Sequence, residues 1–362
     1  MSHQTTTIVL TGGPCAGKSS SLSYVAEHLK KHGYHVVIIN ELATELQHKG
    51  LIPGKTIASV AFQEQLLQEA LLREAEHHAS FRETPQRKNI LLCDRGIADS
   101  RAYLTTQEWE EVLKKAKLTM SSVFSRYDLV LHLQSVAIDK PELYTTHNNS
   151  SRRESVAEAV EVDRKTLCAW LGHESLRVID NQGSFDDKKS SILNEILHFL
   201  GHPTPLEIEA KYLVSSSFSP AWIPVPYAEV AITQHYLDTT TRIRERKLYD
   251  GVSYTHTIKT PTTTPSVRIE VEKHITEEEF VELLEKRKSD SRTIKKKRYY
   301  FVYKNKYFEL DVFEGIPLVL LELEASSLSS LKSVELPPWI PIEKEVSADW
   351  NYYNSTLAKR PL

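Results

Sequence analysis

Two stretches of this chain carry residues spaced for phosphate chemistry. In Leu206-Glu-Ile-Glu-Ala-Lys-Tyr212, charged and apolar residues alternate with a period of two. Alternate side chains of a strand share a face, so Glu207, Glu209 and Lys211 point one way while Leu206, Ile208 and Tyr212 point the other. An ordinary half-buried strand would turn that polar face to water. Three later segments repeat the pattern with charges of both signs: Arg242, Arg244 and Arg246; Arg268, Glu270 and Glu272; Glu322 and Glu324. If these strands close into a barrel, its interior holds carboxylates for a hard cation and cations for phosphate, which suits a triphosphate–metal complex rather than an apolar core. The second stretch is Gly12-Gly13-Pro14-Cys15-Ala16-Gly17-Lys18-Ser19, followed by Ser20. It matches G-x-x-x-x-G-K-[ST], in which backbone N–H groups wrap phosphates at a helix N-terminus. In that setting Lys18 reaches the β/γ-phosphates of ATP or GTP, and the Ser19 hydroxyl ligates Mg²⁺.

The elements around the glycine loop come in the required order. Thr7–Leu10 is a short β-rich run, and Ser20–His32 reads as a helix with Leu22, Val25, Ala26 and Leu29 on one side. The next strand, His35–Ile39, ends at Asn40-Glu41. A carboxylate at the end of a parallel strand lies beside the phosphate site. Glu41 is either a general base or a group that orients an Mg²⁺-bound water, or else a helix-start acid favoured by the dipole. The apolar strand from Asn89 ends at Asp94-Arg95-Gly96, where a second Mg²⁺-positioning acid belongs. Arg95 either touches phosphate or an acceptor, or forms a structural salt bridge. After the strand at Asp128–Leu133, the arginines Arg152, Arg153 and, in Asp163-Arg164, Arg164 are placed for a lid that neutralises transferred charge, or else for a solvated helix. A last strand from Leu176 ends at Asp180-Asn181, a polar end available to a base. There is no Asn-Lys-x-Asp segment, so the base preference is not legible.

Ile192–Leu200 reads as the helix that closes this part, stopped by Gly201 and by Pro203 and Pro205. The expected division is 1–202 and 203–362. The first part is an α/β domain, a parallel sheet with flanking helices. The second is strand-rich: Leu206–Val214, Glu229–Leu237, Thr241–Arg246, Tyr254–Lys259, Ser266–Lys273, Ile294–Tyr303, Lys306–Phe313 and Leu318–Ala325. A single helix, Thr276–Lys286, opens with a capping box, Thr276 to Glu279. Many antiparallel strands with short turns predict a β-barrel in an α+β domain.

The chain has 362 residues, 26% of them charged, with a formal net charge of −3. That balance gives no ground for bulk nucleic-acid binding. No apolar run approaches the roughly 20 residues of a transmembrane helix, and the N-terminus lacks the pattern of a secretory signal. Cys15, Cys93 and Cys168 have no metal-ligand spacing. Together these lead to the expectation of a reduced, cytoplasmic protein.

The first 200 residues resemble the P-loop domain shared by nicotinamide-riboside-kinase-like proteins and the animal TRPL translocation defect proteins. The carriers are the glycine loop, Glu41 and Asp94-Arg95-Gly96. Residues 205–359 resemble the CYTH, or triphosphate tunnel metalloenzyme, superfamily. Its motifs appear in order as Glu207-Ile-Glu209-Ala-Lys211, Gln234-His235-Tyr236-Leu237, Arg242-Ile-Arg244, Thr257-Ile-Lys259, Lys296-Lys-Arg298-Tyr299, Asp311-Val-Phe-Glu-Gly315 and Glu322-Leu-Glu324. His235 stands where bacterial members often have glycine. The resemblance implies that Glu207, Glu209, Glu322 and Glu324 hold Mg²⁺ or Mn²⁺, and that Lys211, Arg242, Arg244, Lys259, Lys296 and Arg298 bind triphosphate. It implies a metal-dependent triphosphatase joined to a nucleotide-binding domain. The same domain order in the translocation defect proteins implies an alternative, a GTP-binding regulator that recognises anionic phospholipid headgroups and sits peripherally at membranes. A small-molecule kinase run by the first domain is a third reading. Lys295 and Lys297 have the parity of solvated residues, whereas Glu270, Glu272 and Asp311 fit either the interior or salt bridges.

Overall fold

The structure is a computed structural model that describes residues 5–83, 88–145, 154–249, 251–264, 266–287, 291–332 and 334–359. The chain divides into two compact units, residues 1–119 with 126–193, and residues 120–125 with 194–362. The division falls inside the helix Phe185–Phe199, which begins seven residues before the apolar run that announced it.

The first unit is built on five parallel strands: β1 (Thr6–Thr11), β2 (Tyr34–Ile39), β3 (Lys88–Asp94), β4 (Leu129–Leu133) and β5 (Leu176–Ile179), in the order β2-β3-β1-β4-β5. The inner strands read as continuous apolar runs because helices flank the sheet on both sides. Ile8, Val9, Leu10, Ile90, Leu91, Leu92, Val130 and Leu131 are fully buried. The chain leaves β1 for β2 on one side and later takes up β4 on the other. The crevice at the strands' carboxyl ends therefore opens beside β1. The glycine loop fills it and leads into helix α1 (Lys18–Lys31). Helices α2 (Leu42–His48) and α3 (Ser59–Arg82) follow β2.

The second unit is a closed antiparallel barrel. Its strands are β6 (Leu206–Val214), β7 (Tyr227–Tyr236), β8 (Thr241–Leu248), β9 (Gly251–Pro261), β10 (Val267–Ile275), β11 (Ile294–Tyr303), β12 (Lys306–Phe313) and β13 (Val319–Glu324). The order is β10-β9-β8-β7-β11-β12-β13-β6, and β6 returns to β10 through Leu206↔Ile269, Glu207↔Arg268 and Ile208↔Val267. A short β14 (Ile342–Glu345), not anticipated from the sequence, pairs with the other half of the same β6 edge. Closure and β14 leave little of that edge unpaired.

The apolar core of this unit lies outside the barrel wall. Tyr299, Phe301, Phe308, Leu310, Leu321 and Leu323 have the outward parity of β11–β13 and pack with Phe218, Ile223 and Ile340. Each large side chain buried there contributes about 1.5–3 kcal/mol. The helix Glu277–Leu284 covers Ile243 and Ile275 with Phe280, and its capping box forms as the sequence indicates. At one end of the barrel the inward parity turns apolar. Tyr236, Ile294, Phe313 and Leu320 pack there against Val346 and Leu357.

Candidate functional site

The glycine loop needs unusual backbone. Gly12 and Gly17 have φ of 133° and 86°, and a Cβ on Gly12 would lie 2.0 Å from the Leu133 carbonyl oxygen. Lys18 is buried, and its Nζ donates to the Gly12 and Gly13 carbonyls, both at 2.9 Å. Burial, helped by the Arg95 charge, pulls this lysine down to about 8, against the carboxylates of Asp94 and Glu41. Ser19 Oγ donates to Asp94 Oδ2 at 2.5 Å, while Asp94 Oδ1 is buried without a partner. Burial raises Asp94, with Lys18 opposing.

Arg95 forms the salt bridge that was one of its two readings. Its Nε donates to Glu41 Oε1 at 2.7 Å, and its Nη1 lies 3.7 Å from Asp99. Glu41 also accepts from Thr44 Oγ1 at 2.7 Å. Burial alone would raise the Glu41 carboxyl, but Arg95 and Lys18 outweigh it and hold it at about 2. These groups line a cleft of about 1000 Å³ that contains most of the glycine loop.

Asp163, next to Arg164, has a task that the sequence did not mark. It is buried and accepts from the Gly13 N–H at 2.8 Å and the Ser135 N–H at 3.0 Å, and its Oδ2 lies 3.1 Å from His132 Nε2, so it braces the glycine loop. Arg164 pairs with Glu161 on the exposed side of its helix. Asn181 is not turned to a base: its amide donates to Ser135 O and Asp139, and it accepts from Lys188, a buried lysine the sequence reading passed over. Arg152 and Arg153 lie outside the described residues.

Inside the barrel the charged alternation holds on most of the wall, whereas β7 turns Val230 and Ile232 inward opposite Arg298 and Lys296. Lys296 and Arg298 are buried while Lys295 and Lys297 are exposed. Glu207, Glu209 and Lys211 are buried, as are Arg242, Arg244 and Glu322; Lys259 and Glu324 share the inward parity of their strands. Most of these acids meet a base. Lys211 pairs with Glu322 and, at 3.0 Å, with Glu209. Lys259 pairs with Glu207 and, at 3.0 Å, with Glu270. Arg242 lies 3.5 Å from Glu270, and Arg244 pairs with Glu272. Glu270 and Glu272 are thus both interior and salt-bridged, and so is Asp311, which binds Lys296 and Arg298. Arg298 also holds Glu309 and, at 2.8 Å, Glu322. Glu324 stands opposite Glu209 in the ladder. The sequence reading missed Glu309, although its parity with Asp311 marks it as inward.

Electrostatics follow from these pairs. Burial would lower Lys211, but Glu209 and Glu322 outweigh it and raise the ammonium above its ordinary value. Burial would raise Glu322, and Lys211 and Arg298 outweigh it to hold the carboxyl well down. Burial raises Glu309. Burial and the Arg298 charge lower Lys296. Among the described residues, no three His, Cys, Asp or Glu side chains are gathered as metal ligands. The interior carboxylates face cations instead.

Residues 7–188 match the AAA domain family and residues 205–334 the CYTH domain family. The chain belongs to both families. The AAA match covers the parallel-sheet unit and its glycine loop, and the CYTH match covers the eight barrel strands. Both matches are coarser than the narrower two-domain family the sequence resembles. An inorganic triphosphatase from Nitrosomonas europaea is 31% identical over 156 residues, covering 42% of this chain and 96% of the relative. A crystal structure of an inorganic triphosphatase is 30% identical and covers 43% of this chain and 95% of that one, with a TM-score of 0.30. Among the described residues, no helix of either unit is long and apolar enough to cross a membrane.

Proposed function

We propose that the CYTH unit hydrolyses inorganic or nucleoside triphosphates with Mg²⁺ or Mn²⁺, and that the AAA unit binds ATP or GTP at its glycine loop. The observation that carries this reading is a closed barrel whose interior interleaves buried carboxylates with buried lysines and arginines. A barrel that served only as a scaffold would be more stable with an apolar interior. The likeness to a relative named for inorganic triphosphatase activity, over nearly all of that relative, supports it.

In this reading Lys211, Arg242, Arg244, Lys259, Lys296 and Arg298 neutralise the triphosphate, and Glu207, Glu209, Glu322 and Glu324 hold the metal. The donors are all oxygens, as hard cations prefer, and Glu207 Oε2 is buried without a hydrogen-bond partner. A bound divalent ion would polarise a phosphoryl oxygen and acidify a water. Lys211, kept protonated by Glu209 and Glu322, would stabilise charge that develops on the phosphoryl oxygens. Binding replaces one set of ion pairs by another. The bases turn to phosphate as the acids turn to the metal, and no charge is left buried alone.

At the glycine loop, backbone N–H groups and Lys18 would cradle the nucleotide's phosphates, and Ser19 with Asp94 would place Mg²⁺. The unpartnered Asp94 Oδ1 fits that task. Glu41, held ionised by Arg95, has the position of a water- or acceptor-orienting carboxylate. The test is phosphate release from tripolyphosphate, ATP and GTP with each metal, for wild type, Lys18→Ala, and Glu207→Gln combined with Glu209→Gln. Turnover should vanish in the double variant and persist in Lys18→Ala, which should lose only nucleotide binding. Turnover unchanged in the double variant would refute the assignment.

A further inference from the structure

A glycine loop does not hold its own shape. Its glycines widen the backbone conformations open to it, yet its N–H groups recognise phosphate only when they converge. What holds this loop lies behind it, outside the motif. Asp163 is 2% exposed in the middle of the helix Val156–Ala169, and its two oxygens have separate partners. Oδ1 accepts from the Gly13 N–H at 2.8 Å and from the Ser135 N–H at 3.0 Å. Oδ2 lies 3.1 Å from His132 Nε2. A Cβ on Gly13 would come within 2.7 Å of the Asp163 Cβ, so only glycine lets helix and loop approach this closely. Ser135 ties the loop a second time, its Oγ donating to the Pro14 carbonyl.

His132 orients the carboxylate. Its ring is 1% exposed, and Nδ1 is buried without a hydrogen-bond partner. The carboxylate beside Nε2 assigns the proton to that nitrogen, which donates to Asp163. Burial alone would raise the Asp163 carboxyl, but His132 and the two backbone N–H groups outweigh it and hold it below its ordinary value. The loop is therefore held by an ionised acceptor. Such hydrogen bonds are roughly twice as strong as neutral ones. With Oδ2 fixed by His132, Oδ1 cannot turn away from Gly13.

We propose that Asp163, oriented by His132, is the positioning residue of the glycine loop: it keeps the loop in its phosphate-binding shape before the nucleotide arrives, and so sets nucleotide affinity. The proposal rests on the reading of the loop as an ATP or GTP site. As an anion, Asp163 is no phosphate ligand. It acts through Gly13, and His132 acts through Asp163. A loop shaped in advance spares the nucleotide the cost of ordering it. A pair that only stabilised the unit would lower Tm and leave the affinity of the folded protein unchanged.

The test uses the full chain well below its unfolding temperature. Amide hydrogen exchange across the loop is read in the nucleotide-free protein, and affinity by titration with a fluorescent ATP analogue. Asp163→Asn should speed exchange at Gly13 and its neighbours and weaken the analogue by roughly tenfold, the effect of one hydrogen bond to a charged group. His132→Leu should weaken binding in the same direction. His132→Gln, whose amide can donate from the place of Nε2, should restore it. Asp163→Asn combined with His132→Leu should lose no more than Asp163→Asn alone. Loop exchange or affinity unchanged in Asp163→Asn, or losses that add in the double variant, would overturn the proposal. Should Asp163→Asn fail to fold, the contrast between His132→Leu and His132→Gln decides in its place. Failure of wild type to bind the analogue would instead refute the nucleotide reading, and the exchange data would still decide whether Asp163 shapes the loop.

Discussion

Replacing Asp311 by asparagine isolates the ion network inside the barrel. Asp311 is fully buried, and its oxygens receive Lys296 Nζ and two nitrogens of Arg298, the latter both at 2.7 Å. Asparagine keeps one acceptor, but it removes the charge and turns an NH₂ donor toward two cations. Removing one partner of a buried ion pair costs about 3–5 kcal/mol. Arg298 keeps Glu309 and Glu322, so the lower end, about 3 kcal/mol, is the expected cost. In a unit of this size each kcal/mol moves Tm by about 2–4 °C, so the barrel transition should fall by roughly 6–12 °C. The interior also gains one positive charge, so tripolyphosphate should bind more tightly and recover more of the lost Tm than it adds to wild type. Calorimetry of the full chain in chelator, with and without tripolyphosphate, reads both effects. The barrel transition is the one that tripolyphosphate shifts. An unchanged Tm would refute the buried network, and weaker tripolyphosphate binding in Asp311→Asn would refute the charge argument.

Lys18, pulled down to about 8 by burial and by Arg95, loses its proton as pH rises through that value. Nucleotide affinity should therefore fall between about pH 7.5 and 9.5 in a fluorescent-nucleotide titration, and Lys18→Arg, which stays charged, should flatten the profile. Glu41 sits at about 2 in the folded state against an ordinary 4.5, so its contribution is complete above 4.5 and is lost as pH falls toward 2. That loss amounts to roughly 3 kcal/mol, and Glu41→Gln should remove it from acid-unfolding curves. Thr276→Ala deletes the capping box of the helix over Ile243 and should cost about 1 kcal/mol in urea unfolding of the barrel. Chelation should abolish tripolyphosphate turnover, and added Mg²⁺ or Mn²⁺ should restore it; turnover that survives chelation would refute the metal assignment.

The placement of the charged side chains of both units was legible in local sequence because local backbone geometry carries it. A two-residue period is enough to place Lys296 and Arg298 on the opposite face from Lys295 and Lys297. A strand, a glycine loop and a helix in succession are enough to place Lys18 and Ser19. Partners are a different matter, because they depend on which distant segments meet. Lys211 faces Glu322, 111 residues away, only because β13 lies beside β6 in one register. Shifting that register by one residue would turn the slipped strand's interior charges outward. Asp163 braces the Gly13 N–H across 150 residues, and nothing in its own helix marks it for that task. Asn181 looked available at a strand end, yet buried Lys188 and Asp139 claim its amide. The sequence by itself determined which strand faces are charged and where the glycine loop turns into its helix. Only the tertiary structure decided which acid neutralises which base, because that choice belongs to strand register and barrel closure, which no local pattern encodes.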